Sequence, residues 1–118
     1  MDRGAKTAAR NLEERARSRR RAREERAARA EATVRHEASR RMPPGGRAWL
    51  IGSLAWGGFG PRSDVDLVVS GLSGRDITAL EGAVAERLGV GVDILVLEDL
   101  PPRFRERVEA EGVPLHAP

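Results

Sequence analysis

Gly52-Ser53-Leu54-Ala55-Trp56-Gly57-Gly58-Phe59-Gly60-Pro61-Arg62-Ser63-Asp64-Val65-Asp66-Leu67-Val68-Val69 joins two apolar segments through a glycine-rich loop. Before it, Arg47-Ala48-Trp49-Leu50-Ile51 reads as a short strand. After the loop, residues 64–70 read as a second strand, bounded by Ser63 and by the turn residues Ser70, Gly71, Ser73 and Gly74. Side chains alternate along a strand, so Asp64 and Asp66 point to one face, about 6.6 Å apart along the backbone. Val65, Leu67 and Val69 then take the opposite face and enter the core. Two carboxylates so placed can converge on one or two cations. The same pair also fits a half-exposed strand with its polar face in water.

Gly52-Ser53 ends the first strand and begins a helical turn. Free backbone N–H groups there attract anions, Ser53 adds a hydroxyl, and a glycine lets a phosphate chain approach the backbone closely. A plain tight turn has the same composition. Asp93 is a third acid, set inside the otherwise apolar run Val92-Asp93-Ile94-Leu95-Val96-Leu97. An unpaired buried carboxylate there is costly, so Asp93 either joins a site or faces solvent near a strand end.

Outward from this core, residues 7–42 contain no Pro or Gly and are rich in Ala, Arg and Glu, which predicts one long charged helix. Glu13 with Arg17, Glu25 with Arg29, Glu31 with Arg35 and Glu37 with Arg41 are spaced for i,i+4 pairing. Ala27, Ala30, Val34, Ala38 and Met42 form one narrow apolar face. Residues 27–42 are therefore expected to dock on the domain and residues 1–26 to project. Pro43-Pro44-Gly45-Gly46 ends the helix, and residues 43–118 form the domain proper. Ile77, Leu80, Val84 and Leu88 repeat at helical spacing, with a Thr78…Glu81 capping box and Gly89 as the stop. Residues 92–97 read as a third strand, expected to be central. Pro101-Pro102 opens a last short helix to about Ala110. The order predicts an α/β fold, a small mixed β-sheet with helices packed on one side, preceded by the long charged helix.

At 118 residues, 40% apolar and 33% charged, the chain has the size of one domain. No apolar run exceeds five residues, far below the roughly 20 that a bilayer needs. Met1 is followed by charged and small residues with no apolar h-region, and there is no Cys, so a cytoplasmic location is expected. The net charge of +3 divides into +7 over residues 1–42 and −4 over residues 43–118. That basic helix admits three readings, namely a solvated ionic helix, a contact with a protein partner, or a nucleic-acid contact. Its interleaved Glu residues disfavour the last. His36 and His116 stand far apart and read as surface residues.

The pattern Gly-Ser-x-Ala-x-Gly, five residues, then Ser-Asp-x-Asp-Leu-x-Val is carried by Gly52, Ser53, Ala55, Gly57, Ser63, Asp64 and Asp66. It resembles the signature of the minimal nucleotidyltransferases, small members of the DNA polymerase beta-like superfamily. The resemblance runs from about residue 30 to 116 and takes in the strand bearing Asp93. It implies the nucleotidyltransferase fold and a Mg²⁺-dependent transfer of a nucleoside monophosphate, expected to be AMP from ATP, to an acceptor hydroxyl. It further implies that Asp64, Asp66 and Asp93 hold two Mg²⁺ ions, and that Gly52, Ser53 and Ser63 bind the nucleotide. The family usually carries Arg at the place of Trp56. A Trp there stacks on a base or packs against the domain, and Arg62 is a substitute cation.

Small members of this family resemble antitoxins paired with a helical HEPN-type toxin, which they modify by AMP transfer to a Tyr. The partner implied is such a protein or a second copy of the chain. Two other functions compete: a catalytically weak module that neutralises its partner by contact, and a nucleic-acid-binding protein acting through the basic helix.

Overall fold

The computed structural model describes residues 3–115, and the first third of them form one helix, α1 (Arg3–Arg41). Its 39 residues span about 58 Å at 1.5 Å per residue, close to the 66 Å long axis of the molecule. Every residue from 3 to 25 is exposed except Ala16, which is half-buried. Burial begins lower down, where Ala30, Val34, Glu37 and Ala38 are covered and Ala27 and Met42 pack at the edge of the core. His36 is exposed on this helix; His116 lies outside the described residues.

The remaining elements are β1 (Arg47–Ile51), α2 (Gly52–Trp56), β2 (Val65–Ser70), α3 (Gly74–Leu88), β3 (Val92–Val96), a 3-10 turn (Leu97–Asp99), α4 (Pro102–Glu111) and β4 (Val113–Pro114). The sheet order is β3-β2-β1-β4. β1 runs antiparallel to β2 and β4, while β2 and β3 are parallel, joined through α3. The sheet is thus mixed, as expected. β3 is an edge strand, however, and not central. Its apolar residues alternate in use: Val92, Ile94 and Val96 are half-buried while Asp93 and Leu95 are exposed, so one covered face suffices to explain the run.

Side-chain alternation splits the sheet into two apolar faces. Ala48, Leu50, Val65, Leu67 and Val69 join Ala30 and Val34 of α1 and Leu80 and Val84 of α3 in the larger core. Trp49, Ile51 and Val68 face the other way, where Leu97, Phe104 and Val108 cover them. The two long helices therefore share one face, and short α4 closes the other. Each fully buried Leu or Val contributes about 1.5–3 kcal/mol.

α3 begins four residues ahead of Thr78, because Ser73 supplies its cap. The Ser73 Oγ accepts from the Asp76 N–H at 3.1 Å, which leaves Thr78 and Glu81 exposed within the helix and no capping box at its start. Gly89 ends α3 in the left-handed region with φ 66°, the conformation that favours glycine. A charged tie joins α3 to α1. Glu37 is only 2% exposed; it accepts from Arg41 Nε and from Arg87 Nη1, each at 3.0 Å, with Arg40 at 3.7 Å. The i,i+4 pair legible in sequence is thus the buried core of an interhelical cluster.

Candidate active site

Four pieces of the chain meet at one end of the sheet, where β1 finishes and where β2 and β3 begin. The register decides what they present. Ile51 stands opposite Asp66, and Asp66 stands opposite Asp93. Residues paired across neighbouring strands share a face, with strands about 4.8 Å apart. Asp66 and Asp93 are therefore side by side on the face that also carries Ile51 and Val68. Asp64 directly precedes β2, two residues before Asp66, at the entrance to the same strand.

Two glycines clear room for these acids. A Cβ on Gly52 would run into the Asp66 carboxylate, and one on Gly91 would stand 2.5 Å from Asp64 Oδ1. Gly52 also has φ +71°, the left-handed turn that carries β1 into α2. The residue that follows Asp64 is held as well, since the Val65 N–H donates to the Gly91 carbonyl at 2.9 Å.

Electrostatics ties the three carboxylates together. Burial pushes the Asp66 carboxyl above the usual aspartate range, and the charges of Asp93 and Asp64 push it further in the same direction. Asp66 is half-buried, whereas Asp64 and Asp93 are exposed. All donors at this end are hard carboxylate oxygens, the type that Mg²⁺ prefers. With the space kept by the two glycines, the residues fit a divalent cation. Their carboxyl groups do not yet close on one point: among the described residues, no three His, Cys, Asp or Glu side chains form a ligating group.

Ser53 lies at the start of α2, half-buried, with its carbonyl accepting from the Gly57 N–H at 2.9 Å. Ser63 acts on the backbone. Its Oγ accepts from the Gly60 N–H at 2.8 Å and its own N–H donates to the Gly60 carbonyl at 3.1 Å, which closes the turn just ahead of Asp64. Arg62 is exposed on that turn.

Trp56 packs against the domain. Its indole N–H donates to the Glu111 carbonyl at 3.0 Å, and the Arg107 guanidinium lies 4.2 Å from the ring centroid. This pins α2 to the end of α4. Phe59 was not singled out by sequence reasoning, yet it leaves the loop to enter the main core. Positive φ at Gly57 (108°) and Gly58 (91°) allows that reversal of direction. A lone aromatic between glycines was the available signal. Also unread in sequence is a groove of about 310 Å³ between α1 and this loop, walled by Arg20 and Arg23 on one side and by Ser53, Gly57 and Gly58 on the other. Helix arginines more than 25 residues away give no local hint of such proximity.

The family model for the nucleotidyltransferase domain matches residues 32–115. Among solved structures, one described as a minimal nucleotidyltransferase is 36% identical, with a TM-score of 0.57; the match covers 74% of this chain and 89% of that one. No curated protein matches.

Proposed function

The chain belongs to the nucleotidyltransferase domain family, and from that membership we propose that it moves AMP from ATP to an acceptor hydroxyl at the end of the sheet formed by β1, β2 and β3. The observation that carries this reading is the pairing of Asp66 with Asp93 in register, together with the upward push on the Asp66 carboxyl from Asp93 and Asp64. Asp64, Asp66 and Asp93 are the residues to hold two Mg²⁺ ions. When bound, such ions neutralise the triphosphate and lower the pKa of the acceptor hydroxyl. Asp64 and Asp66 at the start of β2 and Asp93 at the start of the neighbouring β3 support this assignment.

In the transfer, the acceptor oxygen bonds to the α-phosphorus as the bond from that phosphorus to the α–β bridging oxygen breaks. Pyrophosphate departs with the electron pair, and the hydroxyl proton passes to Asp93, the more exposed of the paired acids, and on to water. The backbone at Gly52 and the Ser53 hydroxyl hold the β- and γ-phosphates, while Ser63 keeps the preceding turn in place. Catalysis here is positioning and charge neutralisation.

The acceptor we propose is a Tyr of a HEPN-type toxin, with this chain as its cytoplasmic antitoxin. Among the described residues no helix is long and apolar enough to cross a membrane. The test is incubation of the protein with Mg²⁺, ATP labelled at the α-phosphate and the product of the neighbouring gene. Label should reach the partner and should fall by at least about 100-fold in Asp64→Asn. A second reading, a module that silences its partner by contact alone, is favoured by the engagement of Trp56 with α4 in place of the family's Arg. Tight complex formation without label transfer would establish it.

A further inference from the structure

The groove between α1 and the glycine-rich loop places cations from outside the matched family region beside the residues assigned to the phosphates. Arg20 and Arg23 are three apart on a helix and share a face. That face is also the docking face, since Ala27 and Ala30 follow on it and pack into the core. The two exposed arginines line the same groove as Ser53, Gly57 and Gly58, with Glu24 as the one acid in the wall. The basic seam continues into an adjoining cavity of about 320 Å³, where Arg26 and Arg29 stand across from Gly60 and Pro61. None of these four arginines makes a hydrogen bond or ion pair among the described residues. Elsewhere on α1, Arg35, Arg40 and Arg41 are paired with acids.

We propose that Arg20 and Arg23 bind the β,γ-phosphate tail of the nucleoside triphosphate, supplying from α1 the guanidinium contact that Trp56 cannot make. The inference rests on the nucleotidyl-transfer reading above and adds the residues that recognise the tail. Three observations support it. Ser53, the residue assigned to the β- and γ-phosphates, lines the groove with both arginines, and its neighbour Gly52 abuts the Asp66 carboxylate. The glycine loop offers backbone without side chains on the opposite wall. Finally, Glu24 in the wall works against a long polyanion. Guanidinium groups bind phosphate oxygens by bidentate, charge-assisted hydrogen bonds.

The experiment measures binding of inorganic tripolyphosphate, ATP, AMP and a single-stranded oligonucleotide to the full chain in Mg²⁺, together with KM and kcat for transfer. The variants are Arg20→Ala, Arg23→Ala and the double substitution. A control, Arg10→Ala with Arg15→Ala, removes equal charge from the exposed part of the same helix. Alanine favours the helix at every one of these positions, and circular dichroism verifies that it persists. The double variant should weaken tripolyphosphate and ATP binding at least about tenfold. KM for ATP should rise while kcat and AMP affinity stay within about twofold, and Arg→Lys at both sites should restore binding in part. Equal binding by the groove variant and the control overturns the inference and leaves the transfer reading standing. A loss confined to oligonucleotide binding overturns it as well. Failure of the unaltered protein to bind ATP overturns both.

Discussion

Ionising Asp66 works against folding. Its carboxyl is raised from the ordinary 3.8 by burial first, then by the Asp93 and Asp64 charges. A raised folded-state pKa means that the protonated form favours folding below about pH 4, and that this advantage disappears as pH rises through the raised value. At neutral pH, Asp66→Asn should therefore leave the fold as stable as before or more stable, by up to about 1 kcal/mol given its half-exposed position. Nucleotidyl transfer should vanish in the same variant. Urea unfolding at pH 3 and pH 7 checks it: the gain in midpoint belongs at pH 7 and should be absent at pH 3. Destabilisation at both pH values would contradict the coupling of the three acids. Strain of this kind is common where like charges are gathered to hold a cation.

Between elements, Glu37 ties α1 to α3 through Arg87, with Arg41 of its own helix as a second partner. Hydrogen bonds from Arg41 and Arg87 hold its carboxyl below the ordinary 4.5, against the opposing effect of burial. Its stabilising contribution is present above about pH 4.5 and is lost as pH falls through the depressed value. Glu37→Gln should cost about 1–2 kcal/mol at pH 7, since the arginines reach water and the net gain is modest. The cost should shrink in acid, an outcome that thermal unfolding between pH 3 and 7 would read. At this scale the sequence was informative in part. The Glu37 to Arg41 spacing was visible, but Arg87 lies 50 residues on, and burial of the pair depends on where α3 packs. Likewise the apolar run of β3 was visible, whereas its edge position follows from the β2–β3 pairing. Trp56 was conspicuous as a departure from the family pattern. That its N–H meets the last turn of α4 depends on the fold.

Across the whole molecule, α1 sets the shape. The radius of gyration is 18.3 Å, against about 13–14 Å for a compact chain of this size. Residues 3–18 bury almost nothing, so removing the chain ahead of Arg19 should change unfolding free energy by less than about 0.5 kcal/mol. Helical circular dichroism and the small-angle scattering radius should both fall. A loss of several kcal/mol would mean that the exposed half supports the body through contacts not yet accounted for. The arginines proposed to reach the phosphate tail begin only at Arg20, so the same truncation should spare ATP binding.

The local pattern alone was sufficient to determine the strands on either side of the glycine loop, the alternation that buries Val65, Leu67 and Val69 on one face of the sheet, and the long helix. These depend on short-range sterics and periodicity, which neighbouring residues encode. Tertiary structure decided that Asp93 stands in register with Asp66, that Glu37 is buried, and that Arg20 and Arg23 overlook Ser53. Each of those depends on how separate elements slide and pack against one another. Such placement is governed by the burial of the whole core, to which no single stretch holds the key.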